Sequence, residues 1–171
     1  MTSLRIFAII IASLISTTVF AEDIPFTVGD FAPYAGVGSA TVEGEAFLTS
    51  EGGAIKTCAG EAVFLLPSNK YDIEVITSWG FTASIAMSQA GPAAKYWKET
   101  ACDSQGKFSF EDLPLGEWIV VTDITWLASN RQKQGGLMGK KVTVRGKKNK
   151  VMLTSTNLRA NKTLFVDDWP K

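Results

Sequence analysis

The sequence predicts an all-β protein: an antiparallel sandwich of about seven strands with a short helical insertion near residues 71–80. Three stretches carry that prediction. Lys107-Phe108-Ser109-Phe110 alternates polar and apolar residues, the period of a strand with one buried face. Trp118 to Trp126 is rich in β-branched and aromatic residues and long enough for a central strand. Turn chemistry brackets both. In Asp103-Ser-Gln-Gly106 the Asp side chain can bond its own backbone and Gly accepts positive φ; in Leu113-Pro114-Leu-Gly116 the Pro presets φ.

The elements follow in order. Residues 1–21 read as a secretory signal peptide. Arg5 and the amino terminus supply positive charge, Ile6 to Ile15 form a short apolar core, and Val19-Phe20-Ala21 places small residues at a cut before Glu22. The apolar run is short for a membrane span. The mature chain is therefore expected in the periplasm or outside the cell, with no transmembrane segment. Residues 22–40 read as an extended N-terminal arm, rich in Gly and Pro, that either lies on the domain or stays mobile, and residues 41–156 as the sandwich. Thr41 to Thr49 is the first strand and Ser50 to Gly53 a turn. Ala54–Thr57 and Glu61–Leu66 read as one strand kinked at Ala59-Gly60 and ended by Pro67.

Tyr71, Val75, Ile76 and Trp79 fall on one helical face, which predicts a short helix followed by an irregular segment. This insertion is read either as a lid over a sheet edge or open core, or as a functional surface. Leu127 to Gly136 reads as a loop. Leu137–Arg145 and Lys150–Thr156 read as a final hairpin around Gly146-Lys-Lys-Asn149. Residues 157–171 form a tail whose Leu164, Phe165, Val166 and Trp169 either dock as a further strand or meet a partner.

Assembled, the central stretch has the pattern D-x-x-G-x-F-x-F-x-x-L-P-x-G-x-aromatic, running from Asp103 to Trp118. It resembles the carboxypeptidase regulatory-like domains, also described as transthyretin-like or prealbumin-like, and in particular an exported bacterial branch. Gly44-Glu-Ala-Phe47-Leu48, Gly52-Gly53 and Thr57-Cys58-Ala59-Gly60 extend the likeness upstream, and Val142-Thr-Val144 and Val151-Met-Leu153 downstream. The resemblance covers about residues 41–155. It implies a small prealbumin-like sandwich and protein or carbohydrate-type contacts; it implies no particular activity.

The two cysteines, Cys58 and Cys102, lie in the expected exported portion. They form either one disulfide, the simpler state in an oxidising compartment, or two buried free thiols. The sequence contains no histidine. Relatives by fold that carry out catalysis, the 5-hydroxyisourate hydrolases and intradiol dioxygenases, depend on histidine, as does the zinc site of metallocarboxypeptidases. That chemistry does not transfer, and no cofactor or metal site is expected.

Weaker patterns remain. Ser104 and Lys107 have a Ser/Lys dyad spacing, but within a turn. Asp103, Glu111 and Asp112 supply carboxylates without a calcium-loop pattern. A hydrolase built on carboxylates or Ser/Lys is therefore a minor alternative. Asn161-Lys-Thr163 is a glycosylation triplet in a eukaryotic source.

The formal net charge is zero, but Glu22–Asp123 holds 15 acidic and 5 basic residues and Ile124–Lys171 holds 2 acidic and 11 basic. Lys140, Lys141, Arg145, Lys147, Lys148 and Lys150 cluster in the expected last hairpin. They read as a surface for a polyanion or anionic lipid, or as lysines guarding a sheet edge. Nucleic acid is not an expected partner of an exported, neutral chain. Trp79, Trp97 and Trp169 are candidates for a binding surface, whereas Trp118 and Trp126 belong to a core strand. The sequence thus points to an exported, non-enzymatic binding or structural module for a protein or glycan partner.

Overall fold

The computed structural model describes residues 25–79 and 90–158. A short helix α1 (Val28–Phe31) and a 3-10 turn (Ala32–Tyr34) precede β1 (Ala40–Thr49), β2 (Ile55–Thr57) and β3 (Ala62–Pro67). Helix α2 (Lys70–Trp79) and a second 3-10 turn (Gly91–Tyr96) come next. They are followed by β4 (Lys98–Ala101), β5 (Lys107–Leu113), β6 (Gly116–Leu127), β7 (Lys133–Val144) and β8 (Lys148–Leu153). The strands form two four-stranded sheets, an all-β sandwich with a short helix.

In the first sheet β1 is central. It pairs with β5 and β2 antiparallel and with β8 parallel. Ala46 donates its N–H to Gly106 O and accepts from Cys58 N–H. Both groups of one strand residue point the same way, so β2 continues β1's pairing along the edge that β5 occupies. The second sheet runs β4-β3-β6-β7, all antiparallel.

Alternation on facing strands builds the core between the sheets. Val42, Ala46 and Leu48 of β1 and Phe108 and Phe110 of β5 meet Val63, Leu65, Trp118, Val120, Met138 and Val142 of the second sheet. Trp118 is wholly buried. Its indole Nε1 donates to Pro114 O at 3.2 Å, and Tyr34 packs edge-on at 4.8 Å between ring centroids. Gly44 is required because the Phe108 ring occupies the space a Cβ would take.

The other face of the second sheet is covered too. Phe64, Leu66, Ile119, Val121 and Leu137 pack beneath Val75 and Ile76 of α2 and beneath Ala90 and Trp97. This explains the unbroken apolar runs Val63–Leu66 and Trp118–Val121: strands buried on both faces lose their polar alternation. The helical insertion near 71–80 is present as α2 and acts as a lid on that sheet.

Several expectations are corrected. The strand kinked at Ala59-Gly60 is two strands, β2 and β3, in different sheets. The final hairpin is not a hairpin: β7 pairs with β6 in one sheet, and β8 pairs parallel with β1 in the other. The purely antiparallel expectation fails at that pairing, and the strands number eight among the described residues. The loop expected over 127–136 shrinks to a tight turn between Leu127 and Lys133, closed by Ala128 N–H to Gln132 O and Arg131 N–H to Ala128 O. Its Gly content was misleading, because Gly135 and Gly136 lie inside β7. The described part of the extended arm is helical and docked: Phe31 is fully buried in an aromatic cluster with Phe26, Tyr71 and Tyr96. The signal-peptide expectation and all but the first residues of the C-terminal tail lie outside the described residues.

Cys58 and Cys102 form a disulfide, with Cα atoms 5.7 Å apart across 44 residues of sequence. The open choice between a bridge and free thiols is thereby resolved. By the chain-entropy relation a loop of this size stabilises the fold by about 4 kcal/mol. Replacing both cysteines with Ala should lower the urea-unfolding free energy by about 2–4 kcal/mol and steepen the slope, because the unfolded chain, released from its loop, exposes more surface. Wild type should incorporate no alkylating reagent before reduction; two alkylated thiols would contradict the bridge.

Candidate functional site

The six cations expected on one hairpin are divided between two strands of different sheets and the crossover that joins them. On β7, Met138 and Val142 face the inter-sheet core and Leu137 faces the helical lid, so Lys140 has inward parity and Lys141 outward. Lys140 is an exposed, inward-pointing lysine on an edge strand, a device that discourages strand addition. Lys141 forms an ion pair with Glu117 across β6–β7. Arg145 and Lys147 occupy the crossover between sheets, and Lys148 and Lys150 lie on the outer face of β8. There Lys150 is register partner to Glu43, while Lys107 on β5 is partner to Glu45. Opposite charges therefore alternate over that face, which carries a shallow hollow of about 510 Å³ bordered by Glu43, Glu45, Lys107, Lys150 and Met152.

The tryptophans redistribute as well. Trp97, expected on a surface, is buried beneath the helical layer, and its Nε1 donates to Asp72 Oδ1 at 2.7 Å. Trp79 ends α2, and its side chain and the whole of Trp169 lie outside the described residues. Trp126, assigned to the core from sequence, is only partly buried. It sits near the end of β6, packs against the inter-sheet core and also lines a cleft of about 320 Å³ between the β1–β2 and β6–β7 turns. Ser50, Glu51, Lys56, Ser129 and Gln134 supply polar groups around that cleft. No sequence signal marked Trp126, because composition does not distinguish the middle of a long strand from its exposed end.

The minor catalytic patterns resolve into turns. Asp103 Oδ1 accepts the N–H groups of Gln105 and Lys107 at 2.8 and 2.9 Å. These bonds hold its carboxyl below the usual range, the Lys107 N–H contributing most. Ser104 and Lys107 are exposed on that turn. Glu111 and Asp112 stand at the opposite end of β5 from Asp103, so the three carboxylates do not converge. Among the described residues no group of three acidic or cysteine side chains could hold a metal ion.

Asp72 is the buried charge of the lid. Asn69 begins α2 and accepts the Asp72 N–H through Oδ1 at 2.9 Å. The Asp72 carboxyl turns inward, fully buried, with Oδ2 left without a partner. Desolvation pushes its pKa up to about 7, outweighing the hydrogen bond from Trp97. A carboxyl raised in the folded state favours folding at low pH: the unfolded chain ionises from about pH 4 while the folded one stays protonated. Stability should therefore fall from about pH 4 to about pH 7 and level off above. Asp72→Asn, which keeps an acceptor for Trp97, should flatten that slope. At pH 8 it should be more stable than wild type by on the order of a few kcal/mol in denaturant titrations.

No protein-family model matches the chain, and no curated protein matches it. Solved structures do. A "putative carbohydrate binding protein" from Pseudomonas aeruginosa is 30% identical, with a TM-score of 0.63; the match covers 77% of this chain and 99% of that one. The chain belongs to the same family as that protein. The Pseudomonas relative shares the fold over almost its whole length. BcpA, the major pilin subunit of Bacillus cereus, is 13% identical over 68% of this chain and 29% of its own, with a TM-score of 0.37. A 9R-lipoxygenase from Cyanothece is 13% identical over 80% and 18%, with a TM-score of 0.33. At that level of likeness neither of these two bears on function.

Proposed function

We propose that the chain is an exported, non-catalytic carbohydrate-binding module of the carboxypeptidase regulatory-like type. The observation that carries this is membership of one family with the Pseudomonas protein, matched along 99% of that protein's length. Three features support it. The Cys58–Cys102 bridge suits an oxidising compartment outside the cytoplasm, in line with the signal-like residues 1–21. The absence of histidine from the sequence removes the commonest acid–base group. The turn-and-strand pattern from Asp103 to Trp118 falls on the β4–β5 turn, β5 and the start of β6, and thus on the spine of the sandwich. A cell-envelope role as a protein-contact domain is compatible with the same fold. The anionic-surface alternative loses force because its cations are divided between faces, edges and an ion pair.

The full chain, recovered from the exported fraction, should bind saturably to members of a broad panel of neutral and acidic glycans. The bound glycans should stay intact on prolonged incubation when followed by mass spectrometry. Shortened products would make the chain an enzyme and overturn the reading. So would a complete lack of glycan binding accompanied by salt-sensitive binding to anionic phospholipid vesicles.

A further inference from the structure

We infer that the cleft at Trp126 is a subsite that stacks one pyranose ring of a neutral glycan on the exposed side of the indole. This rests on the carbohydrate-binding reading and gives it a place in the molecule.

The chemistry of the cleft selects the ligand. A pyranose has a face of C–H groups, apolar and slightly positive, ringed by hydroxyls. An indole offers a flat, electron-rich face of matching size. Trp126 shares the inward parity of Trp118, Val120 and Ile124 and stands near the end of β6, where it both packs against the core and lines the cleft. Hydroxyls need both donors and acceptors at the rim, and the rim holds both. Glu51 accepts, Lys56 donates, and Gln134 does each through its amide. Ser50 Oγ accepts the Ala54 N–H at 3.1 Å, which leaves its own hydrogen free for a ligand. Glu51 and Lys56 carry opposite charges and cancel. The cleft therefore has no net charge to recruit a uronate or a sulfated sugar. Its volume of about 320 Å³ suits a small ligand or one or two residues of a chain passing through an open groove.

The platform is also held in place. The β1–β2 turn is closed by Ser50 N–H to Ala54 O at 2.9 Å and Gly53 N–H to Ser50 O at 2.8 Å. The β6–β7 turn is closed by its own backbone bonds and by Asn130 Oδ1, which accepts the Gln132 N–H at 3.0 Å. Gly135 adopts φ +80°, and any Cβ there would collide with Ile124 O and crowd the indole. Glycine at this position therefore leaves the indole the room it occupies. A preformed site loses less entropy on binding. The larger hollow on the outer face of β1, β5 and β8 lacks these properties: charged side chains dominate it and no aromatic ring lines it.

The test uses the full chain and three defined probes: cellohexaose, chitohexaose and maltohexaose, titrated calorimetrically. Wild type should bind at least one of them. Trp126→Ala should weaken that binding at least tenfold, and Trp126→Phe should retain most of it. Because truncation at Trp126 also removes core contacts, Glu51→Gln and Gln134→Ala provide rim variants that leave the core untouched. Each should weaken binding several-fold at an unchanged melting temperature. Lys147→Glu/Lys148→Glu, at the start of β8 beside the beginning of β1 and away from the β1–β2 turn, should bind as wild type does. Undiminished binding by Trp126→Ala and both rim variants would overturn the site while leaving the module a carbohydrate binder. Binding by wild type to acidic glycans alone would overturn the neutral-ligand claim. Binding to no glycan of any kind would overturn site and module together.

Discussion

The fold depends on how the chain passes between its two sheets. Cys58 lies where it leaves β2 for β3, and Cys102 where it leaves β4 for β5. Both cysteines thus sit at sheet-to-sheet crossings, and the bridge ties one crossing to the other. Backbone bonds continue the tie: Gly60 N–H to Cys102 O at 3.1 Å and Cys102 N–H to Glu61 O at 3.0 Å. Crossings are where a sandwich lacks ladder hydrogen bonds and opens most readily. A covalent link there keeps the inner faces of β1 and β3 opposed while the core around Trp118 excludes water.

From that geometry follows the division of surfaces. The second sheet is buried on both faces, by the first sheet and by α2 with the Gly91–Tyr96 turn. The lid carries a strained feature of its own, the fully buried Asp72 with one unpartnered oxygen. Such a group destabilises the fold once ionised, so its presence does not come from packing alone; the Trp97 bond it accepts places the second 3-10 turn against the sheet. With one sheet covered, the surfaces that the described strands and their turns leave open are the charged outer face of the first sheet and the turns at the rim. Turns on a rigid sandwich can carry specific side chains without weakening the core.

Much of the architecture was legible in residue pattern. Alternation at Lys107–Phe110, the β-rich run at Trp118–Trp126 and the helical spacing of Tyr71, Val75 and Ile76 all report local periodicity, and each became the element it implied. What failed was pairing. Nothing local distinguishes two strands joined by a hairpin from two strands that part to different sheets. Val142-Thr-Val144 and Val151-Met-Leu153 therefore read as partners although β8 lies parallel to β1. The helical turns of the docked arm were not legible for a related reason: Phe31 and Tyr34 pack on Tyr71, Tyr96 and Trp118, residues distant in sequence. Site reading was limited in the same way. Trp97, a candidate for a binding surface, is covered by the lid, while Trp126 lies on the core strand as expected but near its end, where it also lines a cleft.

The uneven charge of the sequence is offset in part by the same long-range pairing. An acidic first part and a basic last part would make a polyanion surface if the last part stood alone. Parallel pairing of β8 with β1 instead brings Lys150 beside Glu43, and antiparallel pairing of β5 brings Lys107 beside Glu45. Neighbouring opposite charges on adjacent strands favour that register and weaken the local field of the lysines concerned. Lys141 is paired with Glu117, and Lys140 guards the β7 edge. Strand pairing thus joins part of the basic end of the chain to its acidic beginning, at Lys150 with Glu43 and at Lys141 with Glu117. Shape, ring stacking and hydroxyl-matched hydrogen bonds are what the rim at Trp126 offers.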